Sequence, residues 1–134
     1  MHLFSKYCQL GLTIGIFLLS GYSFAETDAI KTESVSPKEA SVMHVEQKAV
    51  IVDVREDKEW NEHHIPGAVH IPLAQLNERL SELKQYKDSP VITQCRGGKR
   101  SAEAQIALKS AGFSKVYNMD GGIQAWDKEG LATE

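Results

Sequence analysis

Pro90-Val91-Ile92-Thr93-Gln94-Cys95-Arg96-Gly97-Gly98-Lys99-Arg100-Ser101 reads as a short buried strand, a glycine-containing loop and the first turn of a helix. A thiol therefore stands at the carboxyl end of a strand, just before a helix amino terminus. Two glycines let backbone N–H groups curl inward and the helix adds its positive end. Arg96, Lys99 and Arg100 place three cations in the same loop. Such a loop holds an anion against a sulfur nucleophile, and a cysteine in that field ionises readily. Cys95 is accordingly the candidate nucleophile, with Arg96, Gly97, Gly98, Lys99, Arg100 and Ser101 as its anion cradle.

The same alternation extends to either side. Ala49 to Val54 is a run of Val and Ile suited to a strand buried on both faces, which points to a parallel sheet. Ile65-Pro66-Gly67-Ala68 signals a turn, followed by a short strand at Val69 to Ile71. Leu73, Leu76, Leu80 and Leu83 recur at helical spacing and predict an amphipathic helix. Beyond the loop come an alanine-rich helix from Ser101 to Ser110, a strand at Val116 to Asn118, and a last helix carrying Trp126 that starts at Gly121-Gly122 and ends at Gly130. Upstream, Ser36-Pro37-Lys38-Glu39 is a capping box with proline at the first helical position; it opens a short helix to about His44. An edge strand is expected near Ile30 or Val35. Alternating strands and helices over this length predict an α/β fold: an open, mostly parallel sheet with helices on both faces and reactive groups beyond the strands' carboxyl ends.

The amino terminus has a different character. Lys6, the apolar segment Leu10 to Leu19 and Ser23-Phe24-Ala25 form a secretory signal peptide over residues 1–25, with cleavage after Ala25. Its apolar core is half the roughly 20 residues that a membrane span requires, so no permanent anchor is expected. A lipid anchor is not expected either, because Tyr22 occupies the place of an acylated cysteine and Cys8 lies too early. The mature protein should be periplasmic, or secreted from a cell without an outer membrane. Of 134 residues, removing 25 leaves 109, enough for one domain: a flexible tail over 26–34 and a domain over 35–134. Cleavage takes away one of 15 basic side chains and none of 18 acidic ones, leaving a net charge of −4. That balance argues against a nucleic-acid partner and makes the cationic loop a local exception. Cys95 becomes the single thiol of an exported chain, so it is either buried and inert or reactive; its polar flanks Gln94 and Arg96 favour the second.

With these segments read together, the chain resembles the single-domain rhodanese, or thiosulfate sulfurtransferase, family. Cys95, Gly98, Arg100 and Ser101 fit that family's loop pattern. Asp53-Val54-Arg55, Glu59 and His64-Ile65-Pro66-Gly67-Ala68 resemble its first signature, and Gly121-Gly122-Ile123-Gln124-Ala125-Trp126 its carboxyl-terminal segment. The resemblance covers roughly residues 35 to 130. It implies a five-stranded sheet between helices, with the loop after the fourth strand cradling the sulfur. It also implies a two-step reaction in which Cys95 takes a sulfane sulfur from thiosulfate or a similar donor as a persulfide, then gives it to cyanide or a thiol, with no cofactor and no metal. One departure is His63, where the family usually has glycine; a positive φ there would cost energy.

Asp53 and Arg55 read as charges that support the loop. Arg100 reads either as an anion ligand or as a brace held by an ion pair. His64 reads as a turn-stabilising residue, His44 and His70 show no metal-binding pattern, and Trp60 and Trp126 should pack in or beside the core. Three rival functions share the fold. Cysteine phosphatases and arsenate reductases use a similar cradle, but four residues separate Cys95 from Arg100, one fewer than in phosphate-type cradles. A binding module that has lost turnover would usually lack the cysteine. A persulfide carrier, loaded and unloaded by other proteins, fits the same residues.

Overall fold

The two central strands form where β-branched residues fill consecutive positions, because both faces of the sheet are covered there. Val50–Asp53 (β2) and Val91–Gln94 (β4) are buried at every residue and lie side by side in the middle of the sheet. The computed structural model describes Ile30 and residues 32–134, so the expected signal peptide lies outside the described residues. Within them, Glu33–Val35 (β1), Val69–His70 (β3) and Val116–Met119 (β5) complete a five-stranded sheet ordered β1-β5-β4-β2-β3. Every pairing is parallel, with Val50 opposite Val91 and Val91 opposite Val116.

Alternation along the strands divides the core in two. Val50, Val52, Val91 and Val116 pack with Ala104 and Leu108 of the helix Lys99–Ser110 (α3) and with Leu76 and Leu83. Ile51, Ile92 and Met119 face the other way, onto Ala40 of Pro37–Glu46 (α1) and Ile123 and Trp126 of Gly122–Lys128 (α4). The remaining helix, Asp57–Glu62 (α2), buries no residue and stands beyond the carboxyl end of β2. The capping box forms as read: the Glu39 amide donates to Ser36 Oγ at 3.1 Å and the Ser36 amide to the Glu39 carboxylate at 2.8 Å. No helix among the described residues is long and apolar enough to cross a membrane.

Two expectations change and one is placed. The leucine-rich stretch is not one α-helix but two 3₁₀ segments, Leu73–Gln75 and Leu80–Tyr86. Spacings of three and four fit a 3.0-residue turn as well as a 3.6-residue one, and both bury Leu76 and Leu83. The edge strand expected near Ile30 or Val35 forms at Glu33–Val35, where Glu33 and Ser34 of the tail pair with β5. His63 has φ −170 and ψ 155, an extended conformation open to any residue, so replacing glycine there carries no backbone strain.

Candidate active site

The cysteine continues the alternation of β4: Val91, Thr93 and Cys95 face α3. The chain then turns through Gly98, whose φ of +110 suits glycine, and enters α3 at Lys99. That turn brings the Gly98 amide back onto the thiol, donating to Cys95 Sγ at 3.1 Å. Ser101, one turn into the helix, places Oγ 3.3 Å from Sγ and 3.1 Å from the Gly98 carbonyl oxygen. Asn118 of β5 donates to the same carbonyl at 3.3 Å. The loop folds around the sulfur with its donors pointing inward.

Cys95 lies deeper than its polar flanks suggest, with 1% of its surface exposed and the α3-side core behind it. Burial is the largest influence on the thiol and raises its pKa. The Ser101 hydroxyl and the amides of Ser101, Gly98 and Gly97 outweigh burial together, so the thiol ionises below its ordinary range. The loop's hydrogen bonds, more than its three cations, favour the thiolate.

The outer side of the loop is fixed by α4. The Ile123 amide donates to the Cys95 carbonyl at 2.8 Å and the Gln124 amide to the Arg96 carbonyl at 3.2 Å, while the Gln94 side-chain amide also donates to the Cys95 carbonyl. This close approach explains Gly122. It has φ +57, and a Cβ there would fall on the Cys95 carbonyl oxygen and within 2.5 Å of the Arg96 carbonyl group. A glycine pair read as a turn is therefore also the seat of the cradle.

The three cations have separate fates. Arg100 donates to both Glu59 carboxylate oxygens at 2.8 Å, which makes it the brace. Its hydrogen bonds hold the Glu59 carboxyl down to about 2, against the opposing effect of partial burial. Arg96 and Lys99 are exposed and make no ion pair among the described residues. Asp53 and Arg55 do not pair with the loop. They pair with each other, Arg55 Nε at 3.0 Å and Nη2 at 2.8 Å from the Asp53 carboxylate, both buried. Arg55 also donates to the carbonyls of Glu59 (3.3 Å) and His63 (2.9 Å), so the pair reaches the loop one step removed, by fixing the helix that carries Glu59.

Sequence reasoning placed Glu59 in a signature segment without assigning it to the site, and passed over Asn118. The signal for Glu59 was the need of Arg100 for a counterion; nothing local marks Asn118. Trp60 is half-buried and stacks with the rings of His64 (3.7 Å) and His70 (4.7 Å), beside the core, while Trp126 is within it. Among the described residues no group of three or more His, Cys, Asp or Glu is placed to hold a metal ion. The chemistry this arrangement allows is that of a soft anionic nucleophile ringed by hydrogen-bond donors, able to accept a group that carries its own negative charge.

The family model for the rhodanese-like domain matches residues 36–129. The thiosulfate sulfurtransferase GlpE of Pseudomonas savastanoi pv. phaseolicola is 35% identical over 92 residues, covering 69% of this chain and 84% of that protein. The probable adenylyltransferase/sulfurtransferase MoeZ of Mycobacterium tuberculosis is 37% identical over 102 residues, covering 75% of this chain; the chain spans only 26% of that relative's length. Among solved structures, the rhodanese-like domain of the Anabaena protein Alr3790 superposes with a TM-score of 0.70 at 28% identity, covering 78% of this chain and 80% of that one.

Proposed function

The chain belongs to the rhodanese-like domain family, and on that premise we propose that it is a sulfurtransferase that moves sulfane sulfur through a Cys95 persulfide. The Cys95 thiolate attacks the outer sulfur of thiosulfate, the S–S bond breaks, and sulfite leaves with the electron pair. A nucleophile, cyanide or a thiol, then attacks the outer sulfur of the persulfide, and the Cys95 thiolate is released. The terminal persulfide sulfur carries the charge, which is why the loop supplies backbone donors. Arg96 and Lys99, exposed and without ion-pair partners among the described residues, draw the dianionic donor to the loop.

The observation that carries this reading is the Gly98 amide at 3.1 Å from Cys95 Sγ, inside a loop of four residues between cysteine and arginine. A phosphate-type reaction would direct the terminal arginine at the anion, whereas Arg100 is engaged by Glu59. Turnover of thiosulfate and cyanide by wild type and Cys95→Ser tests the proposal. The variant should keep its fold and lose transfer; retained turnover would refute the assignment, and hydrolysis of an aryl phosphate by the wild type would favour the phosphatase reading. We also propose export to the periplasm with Glu26 as first residue, because Leu10 to Leu19 and Ser23-Phe24-Ala25 form a cleavable leader. Amino-terminal sequencing of the protein recovered from that compartment tests it; an intact Met1 would contradict it.

A further inference from the structure

We infer that Ser101 is a catalytic residue of the second half-reaction: its hydroxyl hydrogen moves from the Gly98 carbonyl to the Cys95 sulfur as that sulfur becomes the leaving group. The inference rests on the sulfur-transfer reading. Ser101 is fully buried, and its single hydroxyl hydrogen has two acceptors in reach, the Gly98 carbonyl at 3.1 Å and Sγ at 3.3 Å. When Cys95 is a thiol, S–H donates to Oγ and Oγ–H to the carbonyl. When it is a thiolate, the sulfur has no hydrogen and the hydroxyl turns to the charge. The turn leaves no orphan, because Gly98 O keeps the Asn118 side-chain amide at 3.3 Å and the Ala102 amide at 3.1 Å.

In the persulfide the charge lies on the outer sulfur and the inner one is a weak acceptor, so the hydroxyl belongs to Gly98 again. As an acceptor thiolate bonds to the outer sulfur, the S–S bond to Cys95 breaks, its electron pair stays on the inner sulfur, and no proton is gained or lost. Charge arrives at Sγ, and the Ser101 hydroxyl meets it. A hydrogen bond absent in the ground state and present at the transition state lowers the barrier. Loading behaves differently: there the hydroxyl bonds the thiolate in the ground state, so it raises the thiolate's population without helping its attack.

The test follows intact mass while wild type, Ser101→Ala and Ser101→Thr are loaded with thiosulfate and then discharged with 2-mercaptoethanol over a range of pH. Ser101→Ala should discharge about tenfold more slowly, the size of one hydrogen bond to a charged group. Its loading should fall at neutral pH and recover in alkali, and Ser101→Thr should restore both. Asn118→Ala supplies a second variant: it leaves Gly98 O with only the Ala102 amide and the Ser101 hydroxyl, which holds the hydroxyl more firmly on the carbonyl, so discharge slows, and the effect disappears in the Ser101→Ala background. Discharge at the wild-type rate by Ser101→Ala, or equal slowing of both halves at every pH, would overturn the inference. A wild type that takes up no sulfur would instead bring down the sulfur-transfer reading, and this inference with it.

Discussion

The Arg100 guanidinium meets the Glu59 carboxylate through two 2.8 Å hydrogen bonds, joining the end of the cysteine loop to a helix 41 residues earlier in the chain. Both side chains are about one-third exposed or less. A bidentate pair in that setting fixes geometry as well as contributing energy. With α4 holding the loop's first carbonyls and Glu59 its last side chain, the donors around Cys95 are set before any ligand arrives.

Glu59→Gln should therefore loosen the loop. A loss of about 1 kcal/mol, or roughly 4–8 °C in melting temperature, is the scale for a partly exposed pair. The sign in pH follows from the depressed Glu59 carboxyl, about 2 in the folded protein against 4.5 ordinarily. The contribution is present above pH 4.5 and disappears as pH falls toward 2. Melting curves of wild type and variant should converge across that window; a constant gap would contradict the pairing.

Gly122→Ala should disable the site while sparing most of the sheet. The added Cβ collides with the Cys95 and Arg96 carbonyls at a backbone φ of +57. The cost should be on the order of 1–3 kcal/mol, with the loss of thiosulfate turnover much larger than the loss of stability measured by urea unfolding. Wild-type turnover would show that the approach is less tight than described.

Asp53→Ala leaves the Arg55 guanidinium buried without its carboxylate partner. Breaking a buried pair from one side typically costs about 3–5 kcal/mol. The urea midpoint should drop by that equivalent, far more than for Glu59→Gln. A small change would mean that water reaches Arg55 readily.

Arg96→Ala and Lys99→Ala should act on encounter with the donor. Both side chains are exposed and without ion-pair partners among the described residues, so stability should shift by less than about 0.5 kcal/mol. The KM for thiosulfate should rise several-fold, and the difference from wild type should shrink as salt is added. A salt-independent effect would place these side chains in the chemistry instead.

The sheet was legible because its strands are written in local runs: Val50-Ile51-Val52 and Val91-Ile92 can only be buried on both faces. The capping box at Ser36 and Glu39 was legible for the same reason, being complete within four residues. Leu73 to Leu83 was misread because leucine spacing reports which side is buried, not how tightly the backbone is wound. Cys95 and its loop stood out from composition and spacing. The partners that hold them did not, since Glu59, Asn118 and Gly122 reach the loop only through the parallel crossovers that bring distant strand ends together. Likewise, the Asp53–Arg55 pair looked like support for the loop, and only the fold shows it turned toward α2.

The most direct test is the intact mass of the wild-type protein before and after thiosulfate, and again after cyanide. The persulfide account predicts a gain of one sulfur atom located at Cys95, lost again on adding cyanide and never seen in Cys95→Ser. No gain in mass, or the same gain in the serine variant, would contradict it.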